Sequence, residues 1–423
     1  MTKRVISIAM AFVGLAVGAG FASGQEVMQF FVHFGTAGIW GAVFVAIFMA
    51  IGGMVILQLG SYYQANEHTA VLDEVAHPVL AKVLDWSVML TIFSIGFVMF
   101  AGGGANLNQA FGIHNNWGSL ILLVLVLLIG RLDIDKVSNA IAVTTPLIIV
   151  MLFIAFIYVI FTHDTPTEQL EIAAENVKTT LPNAFIGTIN YAGFNLIVVL
   201  SMSIVIGGYY LNPRAAGLGG LLGGTTFGLM LIMSTVALFL KIDEVYTSPL
   251  PMLQIVQDMT PFLGYVMSIA IYGMIFNSAI GMFYSLAKRL TSKKPDKAFY
   301  PTFVAVVLLG FVISFFGFRN LVTYVYPLLG YVGVVLSVVL AWNWIKDIGE
   351  IRKESRRRKK IRDLMMIKLH PRRSFSPAQE RRMQAHIGRS NIDNAELEGT
   401  VEEKVAEMLA EEEEQSSEGR NLN

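Results

Sequence analysis

The chain has 423 residues, 54% hydrophobic and 15% charged, with 31 basic side chains balanced by 31 acidic ones. Mean hydropathy is +0.59, and nearly all the charge lies in short connectors or after Trp344, a distribution that excludes a soluble globular domain. There is no cysteine, which rules out disulfides and thiolate metal sites.

Apolar runs of about 20 residues, long enough to cross a hydrocarbon core of about 30 Å, recur along the chain. They fall at residues 5–34, 38–61, 83–111, 117–130, 137–161, 184–210, 215–240, 262–290, 299–318 and 321–345. The expected class is an all-α polytopic membrane protein with about ten transmembrane helices in one domain, residues 1–345. The first run is too long, and too polar at its centre, to be a cleaved signal peptide. With Lys3 and Arg4 inside, the inner connectors carry Lys82, Arg131, Lys136, Arg214, Lys288, Arg289, Lys293, Lys294 and Lys297, against Lys178, Lys241 and Arg319 outside. That asymmetry predicts that both termini are cytoplasmic.

Span one holds "VGAGFASGQEVMQFF" at residues 17–31, polar where a spanning helix should be apolar. Gly14, Gly18, Gly20 and Gly24 make an interruption cheap, and Ser23 followed by Glu26 has the spacing of a capping box. The expectation is two half-helices, one ending near residues 17–19 and one starting at Ser23, with an unwound segment between them. Broken backbone at membrane depth is tolerated only where protein or water surrounds it, and a solute site is the usual reason. Glu26, the one acid deep in a span, is read either as a proton- or cation-coupling group or as half of the capping box.

Span six, "AFIGTINYAGFNLIVVLSMS", has Asn190, Gly193 and Asn195 at its middle, and Ala192-Gly193-Phe194 echoes Ala19-Gly20-Phe21. Two breaks in corresponding spans of a five-plus-five chain predict inverted repeats over about 5–161 and 184–345. The glycines at 220, 224 and 228 form a stripe for close helix packing in span seven, "AGGGANLNQ" in span three serves packing or an outer vestibule, and Pro146 and Pro327 predict kinks.

Residues 346–423 are basic, then acidic. Ser376-Pro377 with Gln379 predicts a capped helix, and Leu397, Val401, Val405 and Leu409 recur at helical spacing. The expectation is a cytoplasmic tail without a core of its own, partly helical or disordered, whose basic part touches anionic lipid. A regulatory docking role is the alternative.

The first-span sequence resembles that of the uncharacterised YkvI-type bacterial membrane proteins, which are similar to the amino acid-polyamine-organocation superfamily with its LeuT-like inverted-repeat fold. The resemblance covers residues 1–345. It implies a protein of the bacterial cytoplasmic membrane, with broken spans one and six flanking a central site. Substrate contacts are then expected from Gly20, Phe21, Ser23, Gly24, Tyr191, Gly193 and Phe194, and ion coupling from Ala19, Glu26, Asn277 and Ser278. In the resembled fold a sodium ion sits between carbonyls of span one and hydroxyls of span eight, which points to Ala19 and Ser278; Asn277 departs from the paired hydroxyls. A span-five lysine found in some proton-coupled relatives has no counterpart in "VSNAIAVTTPLIIV", which favours sodium. Asn277 and Ser278 are equally read as helix contacts.

No nucleotide loop with its GK[ST] ending is present and the seven histidines are scattered, so neither an enzyme nor an ATP-driven pump is expected. The reading is an ion-coupled secondary transporter of a small, amino acid-like solute working by alternating access, with no cofactor beyond sodium or a proton and no nucleic-acid partner. A non-transporting ligand sensor on the same scaffold is the alternative, and a channel the third reading.

Overall fold

The structure, a computed structural model, describes residues 2–131, 144–292, 294–370 and 373–421. Span one is in three pieces, α1 (Thr2–Ala16), α2 (Ala19–Ser23) and α3 (Gln25–Phe30), and span two is α4 (Gly35–Tyr63). A connector helix, α5 (His68–Val75), precedes span three, α6 (Pro78–Phe111), and span four is α7 (Asn115–Ile129). The described part of span five is α8 (Thr144–Thr162); the start expected at residue 137 lies outside the described residues. After α9 (Thr167–Ala174) come span six, α10 (Ala184–Tyr209), and span seven, α11 (Pro213–Leu240). Connector helices α12 (Ile242–Val245) and α13 (Pro251–Met259) lead to span eight, α14 (Pro261–Thr291), and span nine is α15 (Phe299–Ser314). Span ten, α16 (Phe318–Leu369), continues into the tail, which adds α17 (Pro377–Ile387) and α18 (Asn394–Asn421).

Among the described residues seven helical stretches are long and apolar enough to cross a membrane, and shorter apolar helices fill the places of spans one, four and nine. Trp40, Phe44, Ile47 and Ile51 form an exposed apolar stripe along span two, as a lipid-facing helix surface requires. Several spans start on a polar cap followed by proline: the Asn212 and Thr260 side chains accept the orphan amides of Ala215 and Leu263, with Pro213 and Pro261 at the first helical position.

Spans one, two, six and seven pack as one group, and spans three, four, eight and nine as another, with span ten against span six. The expected glycine stripe closes the first group. A Cβ at Gly220 or Gly224 would lie 2.1 Å from the carbonyl oxygens of Gly53 or Met49, so only glycine lets spans two and seven approach this closely. The glycines of span three likewise serve packing: a Cβ at Gly104 would stand 2.4 Å from the Asn115 carbonyl oxygen.

Three expectations are corrected here. Span six is one continuous helix. Its central asparagines do not open it, because Asn190 Nδ2 donates to the Pro327 carbonyl (2.8 Å) and Asn195 Nδ2 to the Tyr191 carbonyl (3.3 Å). Gly193 serves close packing, since a Cβ there would lie 2.6 Å from the Gly330 carbonyl. Second, the tail is not a coreless appendage. Ile361, Met365, Met383, Ile387, Leu397, Val401 and Val405 are buried together, with Leu211 from the connector between spans six and seven packed against them. The boundary expected at residue 345 falls inside α16, which runs unbroken for 52 residues. Third, Pro146 lies in the first described turn of α8, so no helical bond is lost to it among the described residues. The capping box at Ser376 and Gln379 is present as expected.

Arg358 fixes the tail to the bundle. It is 2% exposed, pairs with Glu354 through Nε at 2.9 Å, and donates to the carbonyls of Ser61 and Tyr62 at the end of span two, to Leu211, and to Asn391 of the tail. The Ser61 and Tyr62 carbonyls lie in the last turn of α4, where a guanidinium is favoured.

Candidate functional site

The interruption of span one has two parts. At the first, Gly18 is extended (φ −77°, ψ 173°), and α2 then forms a single turn in which the Ala22 amide donates to the Gly18 carbonyl. The second is Gly24, whose φ of +81° is left-handed and whose amide donates to the Phe21 carbonyl. The stretch expected to be unwound is therefore largely helical, with non-helical backbone limited to residues 17 and 18.

The left-handed Gly24 also displaces the capping box. The second half-helix starts at Gln25, so Gly24 is its cap and Glu26 its second residue, one short of the capping position. Ser23 Oγ instead donates to the Gly20 carbonyl (2.7 Å) and accepts from the Gln25 amide (3.2 Å). Glu26 turns inward, and its Oε1 accepts from the Tyr191 hydroxyl of span six at 2.9 Å.

Against this carboxylate lies a cavity of about 40 Å³, room for about three waters. Leu15, Ala16, Gly18, Gly20 and Glu26 line it from span one, and Ile95 and Met99 from span three. Span six adds Phe194, Asn195 and Val198, span eight Ser278 and Met282, and span ten Tyr326. Gly20 is the floor between two oxygens: a Cβ there would stand 2.5 Å from Glu26 Oε2 and 3.1 Å from Tyr326 Oη. The rings of Phe194 and Tyr326 stack at 4.3 Å, and Tyr191 is held edge-on by Phe31 at 4.8 Å.

Of the expected site residues, Gly20, Glu26, Phe194 and Ser278 meet at the cavity. Tyr191 acts one step behind it through Glu26. Phe21 packs on Phe227, Gly24 sits against Met252 and Leu238, and Ser23 ties the α2 turn, so none of these three lines the space. Asn277 is exposed on the far face of span eight, because one residue of helix turns a side chain by about 100° from Ser278. Ala19 opens α2 beside the lining residues Gly18 and Gly20. Tyr326, Met99 and Met282 were not expected; for Tyr326 the signal is its place beside Pro327 in a span otherwise rich in leucine and valine.

Polar ties hold spans and connectors together at both ends. At the end bearing the termini, Arg289 of span eight pairs with Asp85 (3.1 Å) and Glu67 (2.9 Å). His68 bridges Asp85 (3.1 Å) and Ser201 of span six (3.0 Å). Burial pushes the His68 pKa below its ordinary value, the Asp85 hydrogen bond opposing it, and a neutral ring suits a donor on one nitrogen and an acceptor on the other. At the opposite end Gln109 of span three accepts from Ser248 and the Leu250 amide, both at 3.0 Å, holding the connector that leads into α13.

Solved structures with this arrangement include MhsT in complex with L-phenylalanine (TM-score 0.60, 16% identity, 95% of this chain and 97% of that one). A manganese transporter of Eremococcus coleocola superposes with a TM-score of 0.53 at 14% identity, covering 94% and 93%. Mhp1, a nucleobase-cation-symport-1 family transporter, gives 0.52 at 12%, covering 94% and 96%. The fold is LeuT-like. On this LeuT-like frame the cavity falls at the interruption of span one, where the sequence places it. Two proteins of Bacillus subtilis (strain 168) are similar in sequence: the uncharacterized membrane protein YkvI, 24% identical over 77% of this chain and 92% of its own length, and the uncharacterized protein YyaD, 22% identical over 78% and 94%. No protein-family model matches the chain.

Proposed function

We propose that the protein is a secondary transporter in which an ion gradient drives a small, amino acid-like solute through the cavity beside span one. The observation that carries this reading is the convergence of the Glu26 carboxylate with groups from spans six, eight and ten on a space at the interruption of span one. Such interruptions mark solute sites in transporters, and the solved neighbours named above are transporters by their own descriptions or bind an amino acid. Alternating access would rock the group of spans one, two, six and seven against the other, breaking the His68 link between Asp85 of span three and Ser201 of span six.

Two coupling devices fit the residues. A proton or cation on Glu26 is one, and a sodium ion between the Ala19 carbonyl and the Ser278 hydroxyl is the other. The basic connectors favour cytoplasmic termini in a bacterial plasma membrane, and the exposed Arg352, Lys353, Arg356, Lys359 and Lys360 suit anionic headgroups. No step of this cycle calls for enzyme chemistry.

The test is uptake by purified protein in liposomes, with labelled amino acids and amines, under a sodium gradient and separately under a proton gradient. Saturable accumulation under one gradient is expected and identifies the ion. Binding without accumulation under either gradient would replace the transporter with a sensor, and flux that does not saturate would replace it with a channel.

A further inference from the structure

Resting on the transport reading, we infer that α5 is an acid-responsive latch on the end of the bundle that bears the termini: His68 holds spans three and six together while its ring is neutral, and lets them part when that side acidifies. In sequence α5 joins the two groups of spans, since span two precedes it and span three follows. His68, Val71, Leu72 and Val75 are its buried residues, and it packs on spans two, three, six and ten. The Asn343 amide of span ten donates to the Val75 carbonyl at 2.6 Å, so the last turn is pinned there and the first turn by His68. On span three, Asp85 stands about 15 Å of helix from Ile95 of the cavity wall. The connector thus plugs the seam between the cavity and the water at that end.

The hydrogen bonds favour an uncharged ring. His68 Nε2 lies 3.1 Å from Asp85 Oδ1, and Nδ1 lies 3.0 Å from the Ser201 hydroxyl. A neutral imidazole with its proton on Nε2 donates to the carboxylate and accepts from the serine, which satisfies both spans at once. Asp85 needs no second cation, because its other oxygen takes the Arg289 guanidinium at 3.1 Å, which also pairs with Glu67. The charged groups facing the ring are Asp85 from span three, Arg289 from span eight and Glu67 beside it on the connector. Span six faces it with Ser201, and spans two and ten bring it no charged partner among the described residues.

His68 is 7% exposed, and burial holds its pKa below the ordinary 6.5, against the Asp85 hydrogen bond. Parting spans three and six wets the ring and returns its pKa toward that ordinary value. Between the two values the parted state binds more protons than the latched one, so a fall in pH through about 6.5 makes parting easier. Above that pH both states are neutral and the latch has its full strength. The proton acts here as a regulator at the mouth of the site, apart from any coupling ion at Glu26.

The chain has no cysteine, so a pair of nitroxide labels can be placed without background. Val83→Cys on span three and Met202→Cys on span six are exposed positions outside the latch. Pulsed electron spin resonance on the purified full chain in lipid nanodiscs reads their separation from about pH 7.5 to about 5.5, the range in which an imidazole titrates. The long separation should gain on the short one as pH falls below about 6.5, by at most about tenfold per pH unit for one proton. In His68→Gln, whose amide can donate to Asp85 and accept from Ser201 without titrating, the distribution should not change with pH. A pH-independent distribution with His68 in place, or an equal response in His68→Gln, overturns the inference. Should His68→Gln fail to fold, Ser201→Ala takes its place. Losing the span-six partner should populate the long separation already at neutral pH, and a response identical to that of the unaltered latch overturns the inference instead. A response that depends on His68, without uptake of labelled amino acids or amines under either gradient, would remove the transporter reading and leave the latch standing. Uptake without that response would do the reverse.

Discussion

At the scale of single residues, Gly24 decides where Glu26 points. Its φ of +81° costs a residue with a Cβ about 1–2 kcal/mol, and a Cβ there would meet the Met252 amide nitrogen at 3.1 Å. Gly24→Ala should therefore lower the melting temperature by several degrees and reduce uptake, measured by thermal unfolding in detergent and by the liposome assay; an unchanged melting temperature would show that the turn is not fixed by glycine. The same residue explains what the sequence hid. A buried acid among glycines is legible in one dimension, and so is Ser23 three residues before Glu26. The left-handed turn that moves the helix start to Gln25 is not, because Ser23-Gly24 reads equally well as cap and first residue. Tyr191 was visible as an aromatic of span six, but its hydroxyl bond to Glu26 joins residues 165 positions apart, which periodicity cannot reveal.

At the scale of elements, spans six and ten show how a polar span stays unbroken. Pro327 has no amide hydrogen, so the carbonyl of Thr323, four residues earlier, lacks its helical donor. The Thr180 hydroxyl donates to that carbonyl at 3.0 Å, and Asn190 donates to Pro327 itself. Thr180→Val should cost about 1–3 kcal/mol by leaving a buried carbonyl unpaired. In a Pro327→Ala background, where the restored amide serves Thr323, the same change should cost almost nothing. A double-mutant cycle by thermal unfolding checks this, and equal costs in both backgrounds would refute it. The hydropathy pattern revealed span six with both ends, and the start of span ten, within a few residues, but neither the continuation of span ten to Leu369 nor this exchange of donors. The short repeat at residues 19–21 and 192–194 is similarly misleading: Gly20 faces Glu26, whereas Gly193 serves a helix crossing.

For the whole molecule, the bundle was legible because membrane spans announce themselves by length and apolarity, and the interruption of span one located the cavity. The tail was not, because its core is shared. Ile361 and Met365 come from the continuation of span ten and Leu211 from a connector far away in sequence, so no window of the tail contains enough apolar surface by itself. Arg358→Gln should release it. Losing the guanidinium leaves Glu354 (1% exposed) with Arg357 and Ser390 as partners but strips the Ser61, Tyr62 and Leu211 carbonyls and Asn391 of their shared charged donor, and each lost hydrogen bond to a charged group typically costs about 1.5–3 kcal/mol. Hydrogen exchange should then accelerate across α17 and the start of α18 while the spans stay protected; unchanged exchange there would mean that the apolar cluster alone holds the tail.

The unbroken helix of span ten has a mechanical consequence. Beyond Pro327 it extends roughly 60 Å at 1.5 Å per residue, so a turn of about 5° at that proline would sweep Leu369 through roughly 5 Å. Arg358 pins this shaft to the end of span two. A swing of span ten that widens the space beside Tyr326 therefore cannot occur without dragging span two or bending the shaft, which gears the two spans to a single coordinate.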